Sequence, residues 1–237
     1  MMQFANQKVL ITGGATGIGE GIAKYLIDKG AHVTVCGRRE EALKAFKANY
    51  PMANTIQIDV SKAADRKKLI EAAGCNILIN NAGIQKSIDL KKDEFDGSEI
   101  DINFTAVVHL CMLFGKYVET HKVENAAIIN VSSGLSFVQK VTVPVYCATK
   151  AALHSFTLSL RHQYRDFIKV IELCPPAIDT DLQGPGLHKF GCSVSDFING
   201  TLPRIEKGEL EVGFGMSEAA RNMGPEELKE FFDKFNQ

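Results

Sequence analysis

Apolar runs and amphipathic stretches alternate along this chain from Lys8 to Leu173, and that alternation leaves it few folds. Lys8–Thr12 is a compact apolar run that reads as a strand. Ile18, Ile22, Tyr25 and Leu26 then fall on one helical face across residues 17–29, and Gly30 supplies a stop. The pattern repeats: strands at His32–Gly37, 55–60, 76–80, 126–132 and 170–173, helices at 40–50, 62–73, 99–119 and 146–167. Strands apolar on both faces, separated by helices, predict an α/β chain with a parallel sheet covered by helices on both sides. Residues 177–208 break the rhythm with Gly184, Pro185, Gly186, Gly191 and Pro203. A substrate-shaping segment is expected at residues 181–208, with a short helix near 195–202. A last strand at 210–212 and an amphipathic helix at Pro225–Phe235 complete the expectation.

The 237 residues suffice for one large domain and are short for two, and no repeat, linker or low-complexity tract divides residues 1–237. Net charge is −1, so nothing electrostatic suggests nucleic acid or an anionic membrane. No apolar run approaches the ~18 residues of a membrane span. Six cysteines without Cys-x-x-Cys spacing suit a reducing compartment. The first eight residues lack a basic flank and apolar core, so a cytoplasmic chain is expected. The six histidines are dispersed, and no metal site is expected.

The first strand runs into Thr12-Gly13-Gly14-Ala15-Thr16-Gly17-Ile18-Gly19. Between a strand and a helix, such a turn can hold a dinucleotide pyrophosphate. Gly13 permits the tight turn, Gly17 lets backbone approach the phosphates, and Gly19 lets the helix pack closely. The helix N-terminus adds free N–H groups around Thr16 and Ile18. After the second strand, a chain that binds NAD offers an acid to the ribose 2′-hydroxyl. Here Gly37, Arg38 and Arg39 follow, and arginine meets a 2′-phosphate with paired donors. NADP is therefore expected ahead of NAD. Glu40 and Glu41 suit the first turn of the next helix instead. Asp59-Val60 and Asn81-Ala82-Gly83 fall at strand ends, where open α/β sheets bind ligands. Asn81 has a competing structural duty, satisfying backbone where strands splay.

Tyr146 and Lys150 share a helical face, roughly 6 Å apart at Cβ. An ammonium beside a phenol favours the phenolate, while in the reducing direction a protonated tyrosine is already the right acid. The spacing alone is cheap, because Tyr25 and Lys29 repeat it within an apolar helix far from the phosphate turn. Ser133, at the end of the fifth strand, is placed to hydrogen-bond a substrate carbonyl oxygen; Ser132 points to the other face. Asn103 sits mid-helix, where asparagine is mildly unfavourable; it has either a polar role or a solvent-facing position.

Together, Thr-Gly-x-x-x-Gly-x-Gly at 12–19, Asn-Asn-Ala-Gly at 80–83, Asn103, Ser133, Tyr146 and Lys150 resemble the short-chain dehydrogenase/reductase family over residues 6–182. The resemblance implies a Rossmann fold with seven parallel strands. It implies that Tyr146 is the acid/base, that Lys150 binds the nicotinamide ribose and tunes Tyr146, that Ser133 orients substrate, and that Asn103 supports a water relay. Ile178 and Thr180 match positions that meet the carboxamide and phosphates, with Pro175 at the strand end. Arg38 looks like the NADP-preferring subgroup. Where the family usually has Pro-Gly, this chain has Pro175-Pro176, which removes an N–H donor. That variant and the C-terminal pattern resemble a bacterial DltE-like branch. The expected activity is NADP(H)-dependent hydride exchange with a small carbonyl or alcohol. The competing reading is a dinucleotide-binding sensor or scaffold without turnover, which has no need of Ser133, Tyr146 and Lys150 in register.

Small residues Ala148, Ala152, Ser155 and Ser159 form a stripe on the second long helix. Val107, Leu110, Phe114 and Tyr117 form an apolar face on the first. These are either core or a second buried face, and the family commonly pairs through these helices. A homodimer or homotetramer is expected.

Overall fold

The computed structural model describes residues 1–184, 186–187 and 189–237; Pro185 and His188 lie outside the described residues. Seven parallel strands form one sheet in the order β3-β2-β1-β4-β5-β6-β7. They are β1 (Lys8–Thr12), β2 (His32–Gly37), β3 (Asn54–Gln57), β4 (Ile77–Asn80), β5 (Ala127–Val131), β6 (Lys169–Cys174) and β7 (Glu211–Gly213). The order reverses between β1 and β4, so their carboxyl ends open a crevice at the switch point.

Alternate residues of each strand feed two cores. Val9, Ile11, Val35, Ile79 and Ile129 pack on one face against α1 (Gly17–Asp28), α2 (Glu40–Asn49) and α7 (Val194–Glu206). Leu10, Cys36, Leu78, Ile128 and Val170 pack on the other against α3 (Ala63–Ala73), α5 (Ala106–His121) and α6 (Pro144–Gln163). Pro144 opens α6 at a first-turn position where its missing N–H costs nothing. Two short C-terminal helices, α8 (Met216–Asn222) and α9 (Pro225–Phe235), follow β7. The Glu227 carboxylate accepts from the Gly224 N–H and closes the start of α9.

Several boundaries differ from expectation. β3 ends at Gln57 rather than 60, because the Asp59 carboxylate accepts from the Ser61 N–H and hydroxyl and turns the chain out of the ladder. The helix expected at 99–119 starts as α4 (Ser98–Ile100), passes through a π-helical turn (Asp101–Thr105) and continues as α5. Periodicity cannot register such a bulge, since the apolar stripe resumes after it. Val107, Leu110 and Phe114 are core, so the apolar face of α5 is an inner face. The stripe on α6 is different: Ala148, Ser155 and Ser159 are exposed beside Leu158. α7 is longer than the short helix expected and reaches Glu206 through Pro203.

Candidate functional site

The crevice at the strand carboxyl ends is a cavity of about 1290 Å³, ample for a dinucleotide and a small second ligand. Gly13, Thr16, Gly17, Ile18, Arg38, Val60, Asn81, Ala82, Gly83, Ser133, Tyr146, Lys150, Pro175, Ile178 and Thr180 all line it. Residues from all seven strands, or from the turns leaving them, therefore converge on one space.

The glycine turn is built for close approach. Gly13 and Gly17 have φ of +63° and +58°, a region that disfavours any side chain. A Cβ on Gly17 meets little beyond Thr180, so the backbone there stands open to the cavity. Gly19 does not line the cavity; a Cβ there lies 2.4 Å from the Gly13 carbonyl oxygen and 2.5 Å from Asn81 Nδ2. Its role is to let α1 close against the turn. Asn81 holds the same turn, with Nδ2 donating to the Thr12 and Gly13 carbonyls at 3.0 and 3.1 Å. Thr12 Oγ1 accepts from the Asn81 and Ala82 N–H groups, both at 3.0 Å. The strand ends β1 and β4 are thus tied where they splay, and α1 presents its free N–H groups to the cavity.

At the far end, Arg38 lines the cavity and no carboxylate ends β2. Arg39 also lines it, and its Nη2 donates to Thr16 Oγ1 at 3.1 Å. Asp59 does not line the cavity: its carboxylate is engaged by Ser61, and Ile58 and Val60 take the wall on either side. The sequence suggested Asp59 because its strand was read three residues too long.

Ser133 lies just past β5, extended, with Oγ accepting from the Leu135 N–H at 3.1 Å. It hydrogen-bonds the Tyr146 hydroxyl from the next helix. Burial pushes that hydroxyl well above its usual pKa of ~10, with the Ser133 hydrogen bond opposing. The phenol is therefore held protonated. The Lys150 ammonium donates to the Val131 carbonyl at 2.8 Å and sits 5.6 Å from the Tyr146 ring centre. Burial in turn brings the Lys150 pKa down to about 8, with Glu172 the largest opposing influence.

Asn103 is fully buried, so the solvent-facing alternative is excluded. Its Oδ1 accepts from the Ile84 N–H at 2.8 Å, and its Nδ2 donates to the Ile84 carbonyl and Thr149 Oγ1. The side chain ties the Gly83 loop to α6 from the π-helical turn and does not line the cavity.

Two residues beside this site escaped the sequence reading. Glu172 on β6 has no solvent exposure, and its Oε2 lies 2.8 Å from His154 Nδ1, one turn beyond Lys150 on α6. Its other oxygen has no hydrogen-bond partner among the described residues. The carboxylate hydrogen bond raises the His154 pKa. Glu172 interrupts an apolar strand, and that interruption was the available signal. Tyr25 and Lys29 prove structural, both bound to Glu206 of α7, at 2.7 and 3.3 Å.

Residues 7–189 match the family model described as short chain dehydrogenase. The chain is 42% identical to the uncharacterized oxidoreductase DltE of Bacillus subtilis (strain 168), over 99% of this chain and 98% of that protein. It is 32% identical to glucose 1-dehydrogenase of Gluconobacter oxydans (strain 621H), over 76% of this chain and 72% of that protein. A short chain dehydrogenase from Burkholderia cenocepacia J2315, solved in complex with NADP, superposes with a TM-score of 0.86 and full coverage of both chains; at 23% identity the likeness is one of fold. Among the described residues no helix is long and apolar enough to cross a membrane. The chain belongs to the short-chain dehydrogenase family of oxidoreductases.

Proposed function

We propose that this protein is an NADP(H)-dependent oxidoreductase that reduces a small carbonyl compound, or oxidises the corresponding alcohol, with Tyr146 as acid/base. The observation that carries the reading is the convergence of Ser133, Tyr146 and Lys150 on the cavity that the glycine turn enters from its other end. Gly13, Thr16, Gly17 and Ile18 would hold the pyrophosphate, with Gly19 and Asn81 keeping that turn in place; Val60 and the Asn81–Gly83 backbone would hold the adenosine side, and Pro175, Ile178, Thr180, Tyr146 and Lys150 the nicotinamide riboside. Bound there, the cofactor would supply or accept a hydride. Tyr146, kept protonated by burial, gives its proton to the substrate oxygen, and Ser133 orients that oxygen. Asn103 acts by positioning the Gly83 loop and α6.

Arg38 and Arg39 follow a β2 that ends without a carboxylate, and they favour a 2′-phosphate over a free 2′-hydroxyl. Two charge-assisted bonds at about 1.5–3 kcal/mol each amount to tenfold or more in affinity. Titration with NADPH and NADH tests this: tighter NADPH binding is expected, and equal affinities sink the preference. The enzyme reading itself is tested by following NADPH oxidation against a panel of small aldehydes and ketones. Six free cysteines, five of them buried, suit a reducing compartment such as the cytoplasm. The exposed stripe on α6, with Leu158 and with Met112 of α5 exposed, supports pairing into a homodimer or homotetramer.

A further inference from the structure

The C-terminal helix α9 buries no residue completely, yet it is pinned to the catalytic end of the cavity. Asn236, just after it, makes two backbone contacts across the chain. Its Nδ2 donates to the Gln139 carbonyl at 3.0 Å, and its Oδ1 accepts from the Val141 N–H at 2.9 Å. These bracket Lys140, whose ammonium lies 5.5 Å from the Phe235 ring centre. The Lys140 N–H in turn donates to Cys147 Sγ at 3.3 Å, and Cys147 neighbours Tyr146 on α6. Few contacts therefore separate Phe235 from the reactive tyrosine, and Phe235 lines the same cavity.

We propose that Phe235, held by Asn236, is a specificity-determining wall of the substrate compartment, and that this compartment takes carbonyl compounds with an aryl or branched-alkyl body. The inference rests on the reductase reading for its substrate and on the tail geometry for its residues. Leu135, Val143 and Met216 line the cavity with Phe235 and give it apolar wall, with Lys140 and Thr142 as polar lining residues close to them in sequence. The carboxylates lining the cavity, among the described residues, are Asp179 and Asp181 in the segment after β6. An apolar body placed on the Leu135–Phe235 side displaces water from the ring and gains by its size.

The test compares acetophenone with propionaldehyde, NADPH being the reductant, in wild type, Phe235→Ala and Asn236→Ala. Wild type should show the lower KM for acetophenone. In both variants the ratio of kcat/KM for acetophenone over propionaldehyde should fall by about tenfold or more, as expected for losing one wall of an apolar pocket. NADPH affinity should stay at the wild-type value, which separates a lost wall from a damaged fold. An unchanged ratio, or an equal loss on both substrates, overturns the proposal. Calorimetric binding of acetophenone to the protein saturated with NADP⁺ reads the wall without turnover. Binding that weakens about tenfold in Phe235→Ala supports the wall even if no carbonyl is reduced, and that second failure would fall on the reductase reading alone. Acetophenone binding that is absent, or unaffected by Phe235→Ala, overturns the wall.

Discussion

Lys150 is buried where it lines the cavity, and its charge is within reach of ordinary pH. Burial takes its pKa from 10.5 to about 8. At ~1.4 kcal/mol for each tenfold, that is a cost of about 3.5 kcal/mol for carrying the charge in the folded chain. The sign follows from proton counting. Below about pH 8 the amine is charged in both folded and unfolded chains, so the full cost is present. Between about pH 8 and 10.5 the unfolded chain binds more protons, so this group makes stability rise with pH. Activity runs the other way, because the cationic form is lost as pH rises through about 8. kcat/KM, which reports the free enzyme, should fall on a limb near that value. Glu172→Gln removes the carboxylate that most favours the ammonium, so the limb should move down by up to about one pH unit. His154→Ala removes a hydrogen-bond donor to the same carboxylate while leaving its charge, so the limb should stay in place or move up. A fold simply weakened by either change has no reason to move the two limbs in opposite senses. The assay is the pH profile of kcat/KM for NADPH-dependent carbonyl reduction. A limb that does not move in Glu172→Gln refutes the tuning of Lys150 by Glu172.

Gly19→Ala drives a Cβ to 2.4 Å from the Gly13 oxygen, and overpacking of this kind costs about 1–3 kcal/mol, so NADPH affinity in a fluorescence titration should drop about fivefold or more. Thr12→Val keeps the shape but strands the Asn81 and Ala82 N–H groups; urea denaturation should show a loss of about 2 kcal/mol or more. Light scattering at micromolar concentration should give at least twice the 26.0 kDa chain mass, and a strict monomer refutes the pairing through α6.

The sheet and the cofactor end were legible because they depend on local chemistry. Apolar strands such as Leu10–Ile11 and Leu78–Ile79, and glycines at 13, 17 and 19, announce their roles in one window of sequence. The Tyr146–Lys150 pair was separable from its copy at Tyr25 and Lys29 because Tyr146 opens its helix at a strand-end loop, whereas Tyr25 lies about two turns along α1 from the phosphate turn, where it and Lys29 bind Glu206. What stayed hidden depends on long-range meeting of parts. Phe235 lines the cavity beside an Asn236 that reaches Gln139 and Val141, nearly a hundred residues back. Glu172 meets His154 across a strand and a helix. The π-helical turn around Asn103 and the early exit of the chain at Asp59 are set by individual hydrogen bonds, to which an averaged hydrophobic pattern is blind.

The central claim is that Tyr146 delivers a proton while hydride passes between nicotinamide and carbonyl carbon. The direct measurement is transfer of deuterium from labelled NADPH to a carbonyl substrate, followed by mass spectrometry in wild type, Tyr146→Phe and Tyr25→Phe. Wild type and Tyr25→Phe should yield deuterated alcohol at comparable rates. Tyr146→Phe should bind NADPH normally and yield almost none. Deuterated alcohol formed by Tyr146→Phe at the wild-type rate contradicts the account.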